Sequence, residues 1–105
     1  MKTECVVIQI GNSDDKLTQK EWAQYNFHVT TMLHGFAIET HFAGASNGTA
    51  SWQNACWVVV IPRDERESLF VNLRGIAKQF RQDSIAVMVG ETEFLKSAAN
   101  TQKGE

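Results

Sequence analysis

The chain has 105 residues, the length of one domain that can bury its own core. Its net charge of −2 argues against the basic stripe of a nucleic-acid-binding protein, and no RNP1 pattern is present. No apolar run reaches the roughly 18 residues of a membrane span, and the first apolar segment is too short for a signal-peptide core. We therefore expect a cytoplasmic protein with neither a nucleic-acid nor a membrane partner.

Six hydrophobic segments follow in the order strand, helix, strand, strand, helix, strand, at residues 5–10, 19–33, 37–42, 56–61, 65–81 and 85–89. This order is typical of a ferredoxin-like split βαβ sandwich. It predicts an α+β domain over residues 1–95, with a four-stranded antiparallel sheet of order 4-1-3-2 and two helices on one face. Residues 96–105 are polar and predict a flexible tail.

Capping signals precede both predicted helices. Thr18 and Glu21 form the T-x-x-E pattern of a capping box, and Leu17 and Trp22 have the spacing of a hydrophobic staple. A similar D-x-x-E pattern begins at Asp64, ahead of the second helix. The mixed charges on the helices indicate solvated outer surfaces.

The predicted strands differ in how their side chains alternate. In the second strand, Ile38, Thr40 and Phe42 share one face and polar residues share the other, which is typical of an edge strand. The third strand is apolar on both faces, which predicts a central position. Between these two strands, residues 43–55 are rich in small residues and predict an unusually long loop.

The two cysteines, Cys5 and Cys56, each open a predicted strand. In neighbouring antiparallel strands these positions lie roughly 17 Å apart, beyond the roughly 7 Å Cα separation that a disulfide allows. We predict free, buried thiols that react slowly until the protein unfolds. Because there is no C-x-x-C spacing, we expect no metal site, and we expect no cofactor.

Three places carry residue types suited to chemistry. Asn12, Asp14 and Asp15 offer oxygen ligands for a cation such as Mg²⁺, but turn formation beside a helix N-terminus is the favoured explanation. On the sheet face that two helices leave open, His41 and Glu39 have the chemistry of an acid/base pair. A solvated surface histidine is the alternative there.

The third place is the predicted long loop, where Trp52 and Asn54 lie near Trp57. An aromatic ring beside amides suits a small planar or polar ligand, while the alternative is that Trp52 closes one end of the core. No catalytic residue is assigned. The predicted ligand-binding residues of the second and third places together are Gln9, Glu39, His41, Trp52, Asn54 and Trp57.

Four strings bear a family resemblance: IGNSDDKLTQ at residues 10–19, WQNACWV at 52–58, QDSIA at 82–86 and GETEF at 90–94. The chain resembles small uncharacterised bacterial proteins that carry such strings, over most of residues 5–95. The resemblance implies no known activity and assigns no functional residue.

The central strands predict the mode of assembly. They are apolar on both faces, and helices cover only one, so the remaining patch needs a cover. We expect a homodimer through the open sheet face, acting as a small binding or interaction module. The competing cover is internal, from the loop at residues 43–55 or from Phe94 with the tail. The alternative is a small enzyme or small-molecule binder of the dimeric α/β-barrel type, with its pocket on that face. A closed pocket around Glu39 and His41 would favour the alternative.

Overall fold

The computed structural model describes residues 2–12, 16–36, 39–47 and 53–97. Within residues 39–47 the description covers the backbone and its pairing. The elements are β1 (Thr3–Gly11), α1 (Gln19–His34), β2 (Glu39–Asn47), β3 (Gln53–Pro62), a 3₁₀ turn (Arg63–Glu65), α2 (Arg66–Gln79) and β4 (Ala86–Glu91). Of the predicted tail, residues 98–105 lie outside the described residues.

The four strands form one antiparallel sheet in the order β2-β3-β1-β4. β1 lies between β3 and β4, so that Val7 is opposite Val58 on one side and Met88 on the other. β2 pairs only with β3 and forms an edge, as its alternating pattern predicted. The α+β class is confirmed, and the strand order is the one that the sequence predicts.

The prediction of a loop at residues 43–55 is wrong for most of that range. β2 continues to Asn47 and β3 begins at Gln53, so Ala45 and Ala55, both within the predicted loop, pair with each other. Residues 48–52 lie outside the described residues. Small residues have low strand propensity, but strand formation depends strongly on context, and pairing with a central strand outweighs that preference here.

A shift of register also changes the predicted faces of β2. Thr40 lies opposite Val59 and Phe42 lies opposite Val58, which leaves His41 as an extra residue. One extra residue reverses the alternation of every position after it. Thr40 and Phe42 therefore occupy register positions of opposite faces, against the prediction that they share one.

The core lies between the helices and one face of the sheet. Val6, Ile8 and Ile10 alternate along β1 as its buried residues, and Val59 and Ile61 of β3 lie on the same face. The helical side of this cluster comprises Trp22, Tyr25, Val29 and Leu33 of α1, Leu69 and Leu73 of α2, and Phe80. Both helices thus cover the same sheet face, as predicted.

The N-terminus of α1 carries the predicted capping box. Thr18 Oγ1 accepts a hydrogen bond from the Glu21 N–H at 3.1 Å, and the Glu21 carboxylate accepts one from the Thr18 N–H at 3.0 Å. The bond from Thr18, followed by that from Arg81, lowers the pKa of Glu21. Leu17 and Trp22 are both buried in the core, as expected of a staple.

The predicted cap of α2 is wrong. The 3₁₀ turn precedes this helix, and Asp64 is exposed within it. The residue at the N-cap is Glu65, whose side chain makes no capping hydrogen bond. The D-x-x-E spacing fails here because a 3₁₀ turn moves the first α-helical residue past the position that Asp64 would cap.

The C-terminus of α2 turns through Arg81, which has a positive φ of 58°. The Arg81 N–H donates to the Lys78 carbonyl at 3.1 Å, and the Gln82 N–H donates to the Ala77 carbonyl at 2.9 Å. These are the two hydrogen bonds of a Schellman motif, which usually has glycine at this position. The turn lets the Arg81 guanidinium reach Glu21, 3.1 Å away at the start of α1.

Tyr25 lies at the centre of the core. It is 0% exposed, and its ring stacks on Phe80 with centroids 5.0 Å apart and meets the Trp22 ring edge-on at 6.1 Å. Its hydroxyl is buried without a hydrogen-bond partner among the described residues. Burial raises the pKa of Tyr25 to about 12.

We expect Thr18→Ala to lower the free energy of unfolding by about 1 kcal/mol, because the Glu21 N–H loses its acceptor. Urea denaturation measures this change. Thr31→Ala, at an exposed position within α1, is the control and should change stability by less than about 0.5 kcal/mol. Equal midpoints for Thr18→Ala and the wild type would contradict the capping role.

We expect Tyr25→Phe to leave stability near pH 7 unchanged or higher, because the buried hydroxyl has no hydrogen bond to lose. Above pH 10 the unfolded tyrosine ionises, while the folded one stays neutral up to its pKa of about 12. The wild type should therefore lose about 2 kcal/mol more than Tyr25→Phe between pH 10 and 12. Parallel stability curves for the two proteins in urea denaturation from pH 9 to 12 would contradict the raised pKa.

Candidate functional site

The sheet face away from the helices, called the open face below, carries no charged side chain in β1, β3 and β4. Its residues in these strands are Thr3, Cys5, Val7, Gln9, Gly11, Asn54, Cys56, Val58, Val60, Pro62, Ala86, Met88 and Gly90. One row across it joins Met88, Val7 and Val58, which lie opposite one another. Met88 is 56% exposed, and the two valines are half-buried. The open face is therefore a largely apolar surface that no helix of the described residues covers, although Val60 on it is buried.

Of the predicted ligand-binding residues, Gln9 and Asn54 lie together. Both are exposed on the open face and are diagonal neighbours across the β1–β3 pair. Trp57 lies on the opposite face, 4% exposed, and its indole N–H donates to Thr30 Oγ1 at 3.1 Å. The sheet separates Trp57 from Gln9 and Asn54, so Trp57 belongs to the core.

The other three predicted residues are only partly placed. Trp52 lies outside the described residues. Glu39 is opposite Val60 in the register, and His41 is at the irregularity of β2. Because the description of β2 is limited to its backbone, acid/base chemistry at Glu39 and His41 stays a prediction.

Both cysteines are free, as the sequence predicted. Cys5 lies opposite Val60 and Cys56 lies opposite Gln9, so that the two positions are four residues, or about 13 Å, apart along β1. The prediction of buried thiols is wrong, since both cysteines are half-buried. They belong to the open face, where the helices provide no cover.

Asn12 joins the β1–α1 loop to β3 through a buried amide network. Its Nδ2 donates to the Leu17 carbonyl at 3.1 Å and to Gln53 Oε1 at 3.2 Å, and its Oδ1 accepts from the Leu17 N–H at 2.9 Å. Gln53 in turn exchanges hydrogen bonds with Gln19 at 2.7 and 3.2 Å. These bonds support a structural role for Asn12 over a cation ligand; residues 13–15 lie outside the described residues.

A buried carboxylate fixes the position of α2 relative to β1. Glu4 Oε2 lies 3.2 Å from Arg66 Nη1 and 3.4 Å from Arg63 Nε, and the Glu4 side chain is 7% exposed. Its other oxygen has no hydrogen-bond partner among the described residues. Glu4 also borders a cavity of about 330 Å³ beside Lys2 and Thr92.

A groove of about 730 Å³ lies between α2 and β4. Its apolar lining consists of Phe70, Leu73, Ala77, Ile85 and Val87. Arg74, Lys78 and Arg81 border it from the side of α2. The groove was not predicted from the sequence, because the helix surface was interpreted as evenly mixed in charge. The spacing of Arg74, Lys78 and Arg81 at i, i+4 and i+7 was the signal that could have indicated it.

The described part of the chain contains no group of three His, Cys, Asp or Glu residues placed to hold a metal ion. None of its helices is long and apolar enough to cross a membrane.

No family model matches the chain, and no curated protein matches it. A dimeric ferredoxin-like protein of unknown function from Thermobifida fusca matches with a TM-score of 0.59 and 11% identity, over 86% of this chain and 92% of that one. An unknown protein from Galdieria sulphuraria gives 0.51 and 11% over 88% of this chain, which spans half of that protein. The designed protein Foldit4 gives 0.51 and 13%, over 88% and 98%. At these identities the likeness shows the fold alone.

We expect Asn12→Ala to lower the free energy of unfolding by about 1–3 kcal/mol, because the buried Leu17 N–H loses its acceptor. Thermal or urea denaturation measures this loss. Asn72→Ala is the matched control: Asn72 is exposed and its side chain donates only to the Ser68 carbonyl, so stability should change by less than about 0.5 kcal/mol. Equal effects of the two substitutions would contradict the role given to the network.

Proposed function

We propose that the protein is a small homodimeric interaction module in which the open faces of two copies pack together. The observation that carries the proposal is the absence of charged side chains from the open face in β1, β3 and β4, in a chain of which 21% of the residues are charged. Monomers rarely expose contiguous apolar patches larger than a few hundred Å². A two-fold axis covers the same patch on both copies with one interface.

The side chains of the open face suit close packing between two sheets. Met88 projects as a flexible apolar side chain, and its row neighbours Val7 and Val58 are short and branched. Ala86 and Gly90 lie two residues before and after Met88 on the same face of β4, and their small size leaves space beside the Met88 side chain. Further support comes from the Thermobifida fusca protein, which is described as dimeric and shares the fold.

Val7→Glu tests the proposed dimer by placing a carboxylate in the middle of the open face. We expect light scattering at micromolar concentration to give twice 11.8 kDa for the wild type and 11.8 kDa for Val7→Glu. Val71→Glu is the control, because Val71 is 61% exposed on α2, away from the open face, and this variant should remain a dimer. A wild-type mass of 11.8 kDa would overturn the proposal.

Met88→Glu and thiol labelling distinguish loss of the dimer interface from unfolding of the Val7→Glu variant. Met88 lies on an edge strand and is more than half exposed, so its replacement leaves the core intact and should still give a monomer. Cys5 and Cys56 should react slowly in the wild-type dimer and at least tenfold faster in folded Met88→Glu, because the partner no longer covers them. Equal labelling rates would argue against an interface on the open face.

The alternative from the sequence is a small-molecule binder or enzyme of the dimeric α/β-barrel type. The exposed amides of Gln9 and Asn54 favour it, because they place polar groups at one end of an otherwise apolar face. In this alternative two copies also meet through their open faces, and the ligand lies at the end that carries these amides. Both hypotheses therefore predict the same dimer. They differ in whether the end of the interface that carries Gln9 and Asn54 binds a ligand.

A further inference from the structure

The groove between α2 and β4 offers an apolar surface that is reached from the side of the sheet. Leu73 and Ala77 form its buried floor, and Phe70, Ile85 and Val87 are half-buried around them. Because β4 is an edge strand, no further strand of the described residues closes the groove on that side. Its volume of about 730 Å³ lies within the range of about 300–1,000 Å³ that is typical of small-molecule sites.

Two cations border this apolar surface without a counter-charge. Neither Arg74 nor Lys78 forms an ion pair with a described residue, and no acid lies three or four positions from either on α2. Like charges four residues apart on a helix repel each other. The pair therefore raises the local positive potential beside the groove, in a chain whose net charge is negative.

The other charged groups of the groove are already paired. Arg81 Nη2 lies 3.1 Å from Glu21 Oε2, which directs that guanidinium towards α1. Asp83 is the acid that lines the groove, and its carboxylate lies 3.9 Å from Lys16 Nζ while remaining almost fully exposed. Arg74 and Lys78 are consequently the two cations left to bind an anion.

We propose that the groove binds a small amphipathic carboxylate. Its apolar chain lies on Leu73, Ala77 and Ile85, and its carboxylate pairs with Arg74 and Lys78. Arginine suits this role because its planar guanidinium matches a carboxylate with two parallel hydrogen bonds. The site lies at the edge of β4, away from the open face, and does not depend on the proposed dimer.

Straight-chain carboxylates, titrated below their micellar concentrations into the full chain, test the proposal. Amide NMR spectra should shift in α2 and β4, with affinity increasing from hexanoate to octanoate to decanoate by up to about fourfold per buried methylene. Decanol should bind about tenfold more weakly than decanoate, because it lacks the charge. This factor corresponds to about 1.4 kcal/mol.

The double variant Arg74→Gln and Lys78→Gln should weaken decanoate binding about tenfold and leave decanol binding unchanged. It should fold normally, because both residues are exposed and the substitutions remove a repulsion. A double variant Lys20→Gln and Lys96→Gln removes the same charge from exposed positions that do not line the groove, and should bind decanoate like the wild type. Met88→Glu should also bind it normally, which separates the groove from the open face.

Three results would overturn the proposal. One is decanoate binding that is insensitive to the Arg74 and Lys78 substitutions. A second is a set of NMR shifts confined to the open face. The third is the absence of decanoate binding, whether or not an acidic extended peptide binds at the β4 edge.

Discussion

Two helices can cover only one face of a four-stranded sheet, and this constraint governs the rest of the molecule. The covered face holds the core, built from alternate residues of β1 and β3 and the apolar stripes of both helices. The other face of the central strands β1 and β3 carries no charged side chain, and no helix of the described residues lies on it. The same alternation that makes β1 and β3 good central strands therefore creates the surface through which we propose that two copies meet.

Polar contacts, rather than additional apolar packing, hold the ends of the elements. At one end the buried amides of Asn12 and Gln53 join the β1–α1 loop to β3. Glu4 joins β1 to the 3₁₀ turn and α2 through Arg63 and Arg66. Because buried polar groups are stable only when they are paired, these contacts allow few alternative arrangements of the loops.

Charge is distributed unevenly over this frame. The guanidinium of Arg81 is compensated by Glu21 across the α1–α2 interface, where the positive φ of Arg81 positions it. Lys78 and Arg74, which lie one and two turns before Arg81, have no such partner among the described residues and stand beside apolar side chains. A helix surface that looks evenly mixed in the sequence thus divides into a compensated part and an uncompensated part. The division depends on what α1 brings close to α2.

The sequence by itself determined the features that depend on local sequence patterns: the order of the elements, the capping box of α1, and the edge and central strands. Each of these is encoded within a few residues, as Thr18 and Glu21 illustrate. The extension of β2 to Asn47, the irregularity at His41 and the exposure of the thiols were decided only by the tertiary structure, because each depends on pairing with another strand. The same holds for the Asn12–Gln53 bond, which joins residues 41 positions apart, and for the groove, which exists only where α2 packs beside β4. Contacts between distant segments leave no periodic pattern in the sequence, so the fold was readable from the chain while its candidate binding surfaces required the packed structure.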